Sequence, residues 1–303
     1  MKLSVIIPLL NEEDNVVELH ARLQRVLARW DGGAEVIFVD DGSTDRTLER
    51  LLAIPAGDPW MRVVKLRLNA GQTAAMRAGI DLARGEVIVT MDGDLQNDPD
   101  DIPMLVEKLH SGYDLVAGWR RHRKDPLLTR NLPSWIANWI IARVTGFHVH
   151  DNGCSLKAYR ASIIRRVPLY SELHRFIPAL VAGAGGRIAE VVVRHHSRQH
   201  GTSKYGLSRV GKVLLDMLTV KMVIAFAQRP LHWFGLLAIP WALLFATSAA
   251  WTAAAGPRLW GEGGSVSISL ALLSGYMALH LIGVGLLAEL LVKTRRTRDA
   301  GAL

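Results

Sequence analysis

Residues 86–96 read Glu86-Val87-Ile88-Val89-Thr90-Met91-Asp92-Gly93-Asp94-Leu95-Gln96. The apolar run at 87–89 predicts a short buried β-strand, and two carboxylates and an amide follow at its end. Their hard oxygen atoms are the ligands that Mg²⁺ and Mn²⁺ prefer. The stretch therefore predicts a divalent-metal site formed by Asp92, Asp94 and Gln96.

The same stretch has a purely structural alternative. An acidic turn with Asp98 as the N-cap also suits the start of a helix at Pro99. A lone Asp-x-Asp pattern does not separate the two interpretations, so the rest of the chain has to decide between them.

Strands and helices alternate on both sides of this stretch. The sequence predicts strands at Met1–Leu10, Val36–Val39, Val63–Leu66, Glu86–Thr90 and Asp114–Ala117. It predicts helices at Thr44–Leu52, Gly71–Ala83 and Pro99–His110, and a first helix, capped by Asn11, with Val16, Leu19, Leu23, Val26 and Leu27 on one face. This alternation is typical of an α/β domain whose mostly parallel sheet is covered on both faces.

Ligands of such sheets bind at the carboxyl ends of the strands. The residues that fall there are Pro8, Asp40, Asp41, Asp92, Asp94 and Arg120. The pair Asp40-Asp41 can accept hydrogen bonds from a ribose hydroxyl or a base edge, or it can cap a helix. Two acidic strand ends also suit a response-regulator-like phosphoacceptor, although that class gives no reason for the apolar segments further on.

Apolar and charged residues are segregated along the chain. Half of the 303 residues are hydrophobic, yet 36 Lys and Arg stand beside 28 Asp and Glu, for a net charge of +8. That charge suits nucleic acid, anionic lipid or a phosphorylated substrate. Cys154 is the only cysteine, which excludes an intramolecular disulfide and permits a reducing compartment such as the cytoplasm.

Two C-terminal segments predict a membrane anchor. Residues 231–255 and 266–292 contain one formal charge, Glu289, and each is long enough to cross a bilayer as a helix. Cations flank the pair at Arg229 and, after the second segment, at Lys293, Arg295, Arg296 and Arg298, whereas the loop between them contains Arg258 and Glu262. The positive-inside rule places both ends in the cytoplasm and the protein in the inner membrane.

The chain accordingly divides into four predicted parts. Residues 1–205 form the cytoplasmic catalytic domain, 206–229 an amphipathic juxtamembrane segment, 230–293 the two-helix anchor and 294–303 a basic tail. Trp135 and Trp139, four residues apart, favour a further interfacial helix at 132–145, with packing in the core as the alternative.

The ordered motifs resemble family 2 glycosyltransferases of the polyprenyl-phosphate-sugar synthase group, over nearly the whole chain. They are Val5-Ile6-Ile7-Pro8 with Asn11-Glu12, Val39-Asp40-Asp41-Gly42-Ser43-Thr44-Asp45, Asn69 with Gly71-Gln72, Asp92-Gly93-Asp94-Leu95-Gln96, Asp151-Asn152-Gly153-Cys154-Ser155-Leu156 and Gly201-Thr202-Ser203-Lys204-Tyr205. The later motifs look most like the bacterial aminoarabinose-lipid transferases.

The resemblance implies a Rossmann-like GT-A fold and a role for each matching residue. Residues implied to bind the nucleotide are Pro8, Asn11, Glu12, Asp40, Asp41 and Asp92, with Arg198 and Lys204 closing over the diphosphate. Asp92, Asp94 and Gln96 are implied to hold Mg²⁺ or Mn²⁺, and Arg120, Arg130 and Ser134 to receive the lipid phosphate. Asp92, Asp94, Arg120 and Arg130 would thus carry the catalysis.

The implied reaction is an inverting transfer from a UDP- or GDP-linked sugar to polyprenyl phosphate, by a homo-oligomer, commonly a tetramer, with no nucleic-acid partner. A phosphate monoester is largely a dianion at neutral pH, so this acceptor needs no general base. The Gln-x-x-Arg-Trp pattern of processive synthases is absent, which argues against polymerisation. A sugar-lipid transporter or flippase and an inactive glycosyltransferase-like scaffold are the alternatives.

Overall fold

The computed structural model describes residues 2–54, 60–121, 142–143, 146–171, 173–197, 229–255 and 262–300. They belong to two compact units, Met1–Val220 and Lys221–Leu303, which are treated separately below. The predicted interfacial segment at 132–145 lies almost wholly outside the described residues, as do the juxtamembrane segment before Arg229 and the boundary at residue 205.

Strands and helices alternate through the first unit. Its described elements are β1 (Leu3–Leu9), α1 (Val16–Leu27), β2 (Ala34–Asp40), α2 (Thr47–Ala53), β3 (Met61–Lys65), α3 (Gln72–Leu82), β4 (Val87–Thr90), a 3₁₀ turn (Pro99–Asp101), α4 (Ile102–His110), β5 (Leu115–Trp119), β6 (Lys157–Arg160), α5 (Ala161–Ile164), a second 3₁₀ turn (Leu173–Phe176), α6 (Ile177–Gly183) and β7 (Ile188–Val192). Apart from the start of α1, the predicted elements up to residue 117 lie within three residues of these bounds.

The strands form one mixed sheet in the order β3-β2-β1-β4-β6-β5-β7. β1 pairs in parallel with β2 and β4, β2 with β3, and β5 with β7. β6 lies antiparallel between β4 and β5, so these two neighbours of β6 run in the same direction. The predicted mostly parallel α/β sheet is confirmed, and β6 and β7 are elements that the sequence did not reveal.

Burial follows the hydrophobic pattern. The central strands are apolar on both faces, with Val5, Ile6 and Ile7 of β1 fully buried, as expected where helices cover both sides of a sheet. The predicted apolar face of α1 packs into the same core.

The predicted N-cap of α1 is wrong. The helix begins at Val16 after Asn15, which makes no side-chain capping bond. Asn11 has a left-handed φ of 52°, and its Oδ1 accepts a hydrogen bond from the Thr44 amide at 2.8 Å. The side chain therefore joins the loops that follow β1 and β2 instead of starting a helix.

The second unit contains two apolar helices, α7 (Pro230–Ala255) and α8 (Glu262–Ala300). Their segments Pro230–Ala254 and Ser265–Thr294 are long and apolar enough to cross a membrane, and many of their large side chains are exposed, including Leu243, Trp251 and Leu272. The helices pack closely at glycines, since a Cβ at Gly285 would lie 2.8 Å from Cβ of Phe234.

Candidate functional site

The polar strand ends predicted to lie together do so at one edge of the sheet. Asp40 is the last residue of β2, Asp92 follows β4 by two residues, and Arg120 directly follows β5. Since these three strands run in the same direction, their carboxyl ends meet on the same side of the core. Pro8, in β1, lies next to the last residue of that central strand.

Asp92 and Asp94 share one tight turn but differ in exposure. Asp94 is only 6% exposed, and its Oδ1 accepts the Gln96 amide at 3.2 Å. Asp92 is partly exposed, and Gln72 Nε2 donates to its Oδ1 at 2.7 Å. Leu95, directly after Asp94, has a left-handed φ of 59°, a strained conformation of the kind that occurs at functional sites.

The surroundings of Asp92 in the acidic turn destabilise the ionised form of its carboxyl group. Desolvation raises the pKa of this carboxylate to about 6, and the negative charge of Asp94 adds to the increase. A hydrogen bond from Ser155 and the charges of Arg120 and Lys157 act in the opposite direction. A bound cation would relieve the remaining repulsion.

Ser155 fixes the backbone of the acidic turn through two hydrogen bonds. Its Oγ accepts hydrogen bonds from the Asp92 amide at 3.2 Å and from Asn97 Nδ2 at 2.7 Å. Asp98 accepts the Asp100 amide at 3.0 Å, so it does cap the following 3₁₀ turn. The structural role of Asp98 and a ligand role for Asp92 and Asp94 are therefore compatible.

The two residues of the second acidic pair, Asp40 and Asp41, differ in their hydrogen bonding. Asp41 accepts the amides of Ala70 at 2.7 Å and Gly71 at 2.9 Å, which orders the loop before α3. Desolvation raises the pKa of Asp41 above its usual value. Asp40 is fully buried, and its Oδ2 has no hydrogen-bond partner among the described residues. Buried polar atoms are rarely left unpaired, so this oxygen suits a donor group on a ligand.

Asn11 and Glu12 lie beside this pair. The Asn11 amide donates to Ser43 Oγ at 2.9 Å, and the Glu12 amide to Thr47 Oγ1 at 2.8 Å. Glu12 also accepts Asn15 Nδ2 at 2.6 Å. The loop after β1 is thereby fixed against the loop after β2.

Arg120 is not a solvated loop cation. Its Nε and Nη2 donate to the two carboxylate oxygens of Asp151, at 2.8 and 3.0 Å. Burial alone would lower the pKa of Arg120, but the bond to Asp151 raises it above the usual value. The resemblance assigned no role to Asp151, although the residue opens one of the quoted motifs.

Lys157 and Gln72 are two further site residues that the sequence analysis did not single out. Lys157 Nζ is buried and donates to the carbonyls of Asn152 and Cys154, and desolvation lowers its pKa. Gln72 lies in a quoted motif, which was the only available signal for its bond to Asp92. The predicted residues Arg130, Ser134, Arg198 and Lys204 lie outside the described ranges.

The donor set of the acidic turn fits a divalent cation. Asp92, Asp94 and the half-buried Gln96 offer hard oxygen atoms on one turn. Among the described residues, no three His, Cys, Asp or Glu side chains form a closed metal cluster. A cation here would retain open positions, as expected of a site that also binds diphosphate oxygens.

Comparisons with known proteins show the family to which the chain is similar. The profile of the family described as Glycosyl transferase family 2 matches residues 4–169. A relative named dodecaprenyl-phosphate galacturonate synthase, from Rhizobium johnstonii, is 51% identical over 79% of this chain and 72% of its own. A relative from Pseudomonas paraeruginosa named undecaprenyl-phosphate 4-deoxy-4-formamido-L-arabinose transferase is 37% identical over 95% of this chain and 84% of its own.

The fold also occurs among solved structures. Glucosyl-3-phosphoglycerate synthase from Mycobacterium tuberculosis, solved in complex with Mn²⁺, UDP and phosphoglyceric acid, aligns with a TM-score of 0.56. The alignment covers 74% of this chain and 78% of that one, at 20% identity. At that identity the likeness concerns the fold.

Proposed function

Because the chain belongs to glycosyl transferase family 2, we propose that it transfers a sugar from a nucleoside diphosphate to a polyprenyl phosphate, with inversion at the anomeric carbon. The observation that carries the proposal is the meeting of Asp40, Asp92, Asp94 and Arg120 at one sheet edge. Three acidic residues suit a nucleotide and its cation, and the arginine suits a second phosphate.

The sugar donor that we propose is UDP-galacturonate. The relative named for galacturonate transfer is 51% identical, whereas the relative named for formamido-arabinose transfer is 37% identical. In the nucleoside pocket, Asp40 Oδ2, which no donor in the described part of the chain reaches, would accept a hydrogen bond from the base or ribose.

Asp92, Asp94 and Gln96 would hold the Mg²⁺ or Mn²⁺ ion. When bound, such an ion stabilises the negative charge that develops on the departing diphosphate. Asp94 holds the backbone of the turn through the Gln96 amide, while Gln72 orients Asp92. Arg198 and Lys204 would add positive charge on the diphosphate.

Arg120, with Arg130 and Ser134, would bind the acceptor phosphate. A phosphate oxygen forms the new bond to the anomeric carbon as the bond to the diphosphate oxygen breaks, and the nucleoside diphosphate leaves with that electron pair. No proton is transferred, because the acceptor is already ionised. The cationic groups screen the repulsion between the two anionic substrates.

The helices α7 and α8 would anchor this site beside a membrane-borne acceptor. Their length and exposed apolar side chains support the anchor, and the flanking cations support cytoplasmic ends in the inner membrane. The proposal includes the homo-oligomer, a tetramer, that the family resemblance implies.

A donor panel tests the proposal. Purified protein in detergent would receive a polyprenyl phosphate, Mn²⁺ and, separately, radiolabelled UDP-galacturonate, UDP-glucose, UDP-4-deoxy-4-formamido-arabinose and GDP-mannose. We expect label in the organic phase with UDP-galacturonate, and less than a tenth as much with the others. Transfer from a different donor would overturn the sugar assignment. No transfer from any donor, despite nucleotide binding, would favour the scaffold or transporter alternatives.

A further inference from the structure

Arg120 is held by Asp151 in a rigid bidentate pair. Both oxygens of Asp151 accept from the guanidinium, and Oδ2 also accepts the Arg120 backbone amide at 3.3 Å. The side chains are only 16% and 2% exposed. Two of the three guanidinium nitrogens are therefore occupied, and Nη1 makes no hydrogen bond with the described residues.

The segment that contains Asp151 is itself fixed on both sides. On one side, Lys157 Nζ donates to the carbonyls of Asn152, at 3.3 Å, and Cys154. On the other, the His150 ring stacks on Trp119 with centroids 4.3 Å apart, and Glu190 accepts from the His150 amide at 2.9 Å. Asp151 is thus presented to Arg120 from an immobilised backbone.

This pairing also limits where the guanidinium can go. Arg120 already acts electrostatically on Asp92, one of the two acids at the proposed metal site. In a partly buried site an arginine without its partner is drawn to the nearest carboxylate, because fork-shaped pairing with carboxylates is its preferred geometry. Asp92, whose charge already acts on Arg120, would be such a carboxylate in the absence of Asp151.

We propose that Asp151 is a positioning residue that acts through Arg120: it keeps the guanidinium away from Asp92 and leaves Nη1 for an oxygen of the acceptor phosphate. The inference rests on the proposed function, since it assigns Arg120 to the acceptor. Asp151 itself touches neither substrate.

The test measures the dissociation constant of a short-chain polyprenyl phosphate, in detergent with UDP and Mn²⁺, for the full-length protein. We expect Asp151→Ala to raise this constant about ten-fold, the size of effect that follows from losing one charge-assisted contact. The dissociation constant of UDP with Mn²⁺, measured without the lipid, should also rise, because the released guanidinium would compete with the cation for Asp92. An unchanged lipid constant would overturn the proposal.

A double-mutant cycle separates positioning from a general structural effect. If Asp151 acts through Arg120, adding Asp151→Ala to Arg120→Ala should have no further effect on lipid binding. If the double variant's loss of lipid affinity equals the product of the two single losses, the proposal is contradicted. Should the alanine variant not fold, Asp151→Asn keeps the shape and loses the charge, and the same non-additivity with Arg120→Ala is expected.

Glu35→Gln is the matched control. Glu35 is also a buried carboxylate, 5% exposed, and it binds Ser4 Oγ at 2.7 Å and Arg62 Nη1 at 3.2 Å. It lies near the amino end of β2, at the opposite edge of the sheet. This variant should lose thermal stability but retain lipid binding. A wild-type protein that binds UDP but no polyprenyl phosphate would instead refute the proposed acceptor, and this inference with it.

Discussion

Asp92 and Asp94 are two residues apart, yet their surroundings give them different properties. Asp94 is buried and bonded to its own turn, whereas Asp92 is partly exposed, is bonded to Gln72 and has a pKa raised to about 6. The carboxylate that is easier to reach is therefore also the one whose raised pKa allows it to bind a proton near pH 6.

This difference predicts a pH dependence of metal binding. Protons and Mn²⁺ compete for the Asp92 carboxylate, so metal affinity should fall as the pH decreases through about 6 and level off above about pH 7. Titrations of Mn²⁺ in the presence of UDP should give about ten-fold weaker binding at about pH 5 than at about pH 7. In Asp92→Asn the affinity should be weaker and vary less with pH. Equal affinity at both values in the wild type would contradict the assignment.

Asp94→Asn should remove most of the activity. The substitution retains the shape and removes the negative charge that would hold the cation at the leaving group, so we expect kcat to fall about 10²- to 10³-fold. Asp100→Asn is the control, since Asp100 is an exposed acid on the next turn. Steady-state transfer assays compare the two. Full activity in Asp94→Asn would refute a metal role for the turn.

At the residue scale, the sequence was informative where neighbours are local. The two acidic pairs, Asp40-Asp41 and Asp92 with Asp94, each follow a short apolar run. Their placement at strand ends could therefore be predicted from sequence position alone. The pair of Arg120 and Asp151 joins residues 31 positions apart, and nothing in the local pattern of either indicates the other. The sequence analysis placed Arg120 at a strand end but missed its buried partner for that reason.

Among the elements, β6 has the largest effect on the site. It lies antiparallel between β4 and β5. It also contains Lys157, whose charge acts on Asp92 in the acidic turn. Its four residues alternate weakly between polar and apolar, so periodicity could not identify the strand. The parallel half of the sheet was predictable because each of its strands is a compact apolar run.

Gly118 provides a test of how tightly β5 and β6 pack. A Cβ at this position would lie 2.9 Å from the Leu156 carbonyl oxygen and 3.0 Å from Cys154 Sγ. Gly118→Ala should therefore reduce the free energy of unfolding by about 1–3 kcal/mol. It should also weaken activity, because Arg120 is two residues away. Thermal unfolding in detergent gives the first quantity.

Gly235→Ala is the matched control for that substitution. A Cβ at Gly235 would meet nothing within 4 Å, and alanine is the better helix former, so the melting temperature should be unchanged or slightly higher. Equal effects of the two alanine substitutions would contradict the packing argument for β5.

For the whole molecule, the proposed topology places the catalytic domain and the C-terminal tail on the same side of the membrane. Cys154 is the only cysteine and is buried, so single engineered cysteines can be labelled selectively. An impermeant maleimide added to intact cells should label Gly261→Cys, between the spans Pro230–Ala254 and Ser265–Thr294. It should label Ser111→Cys and Ala302→Cys only after permeabilisation. Labelling of Ser111→Cys in intact cells would contradict the proposed topology and indicate the opposite orientation.

The two apolar helices were predictable because length and composition decide the outcome, whatever the tertiary contacts. Their observed bounds, Pro230–Ala255 and Glu262–Ala300, extend slightly beyond the expected spans, since a helix continues into its polar flanks. The identity of the sugar is the opposite case. It depends on a pocket assembled from several loops, and the relatives provide the only guide to it.

The central claim is that the sugar alone is transferred and the whole diphosphate leaves with the nucleoside. Its most direct test is to incubate the purified protein with UDP-galacturonate, Mn²⁺ and a polyprenyl phosphate, and to identify both products by mass spectrometry. We predict UDP and a lipid whose mass has increased by one hexuronosyl residue, in equal amounts, with both formed about 10²- to 10³-fold more slowly by Asp94→Asn. Release of UMP with a lipid diphosphate sugar, or UDP without a modified lipid, would contradict the account.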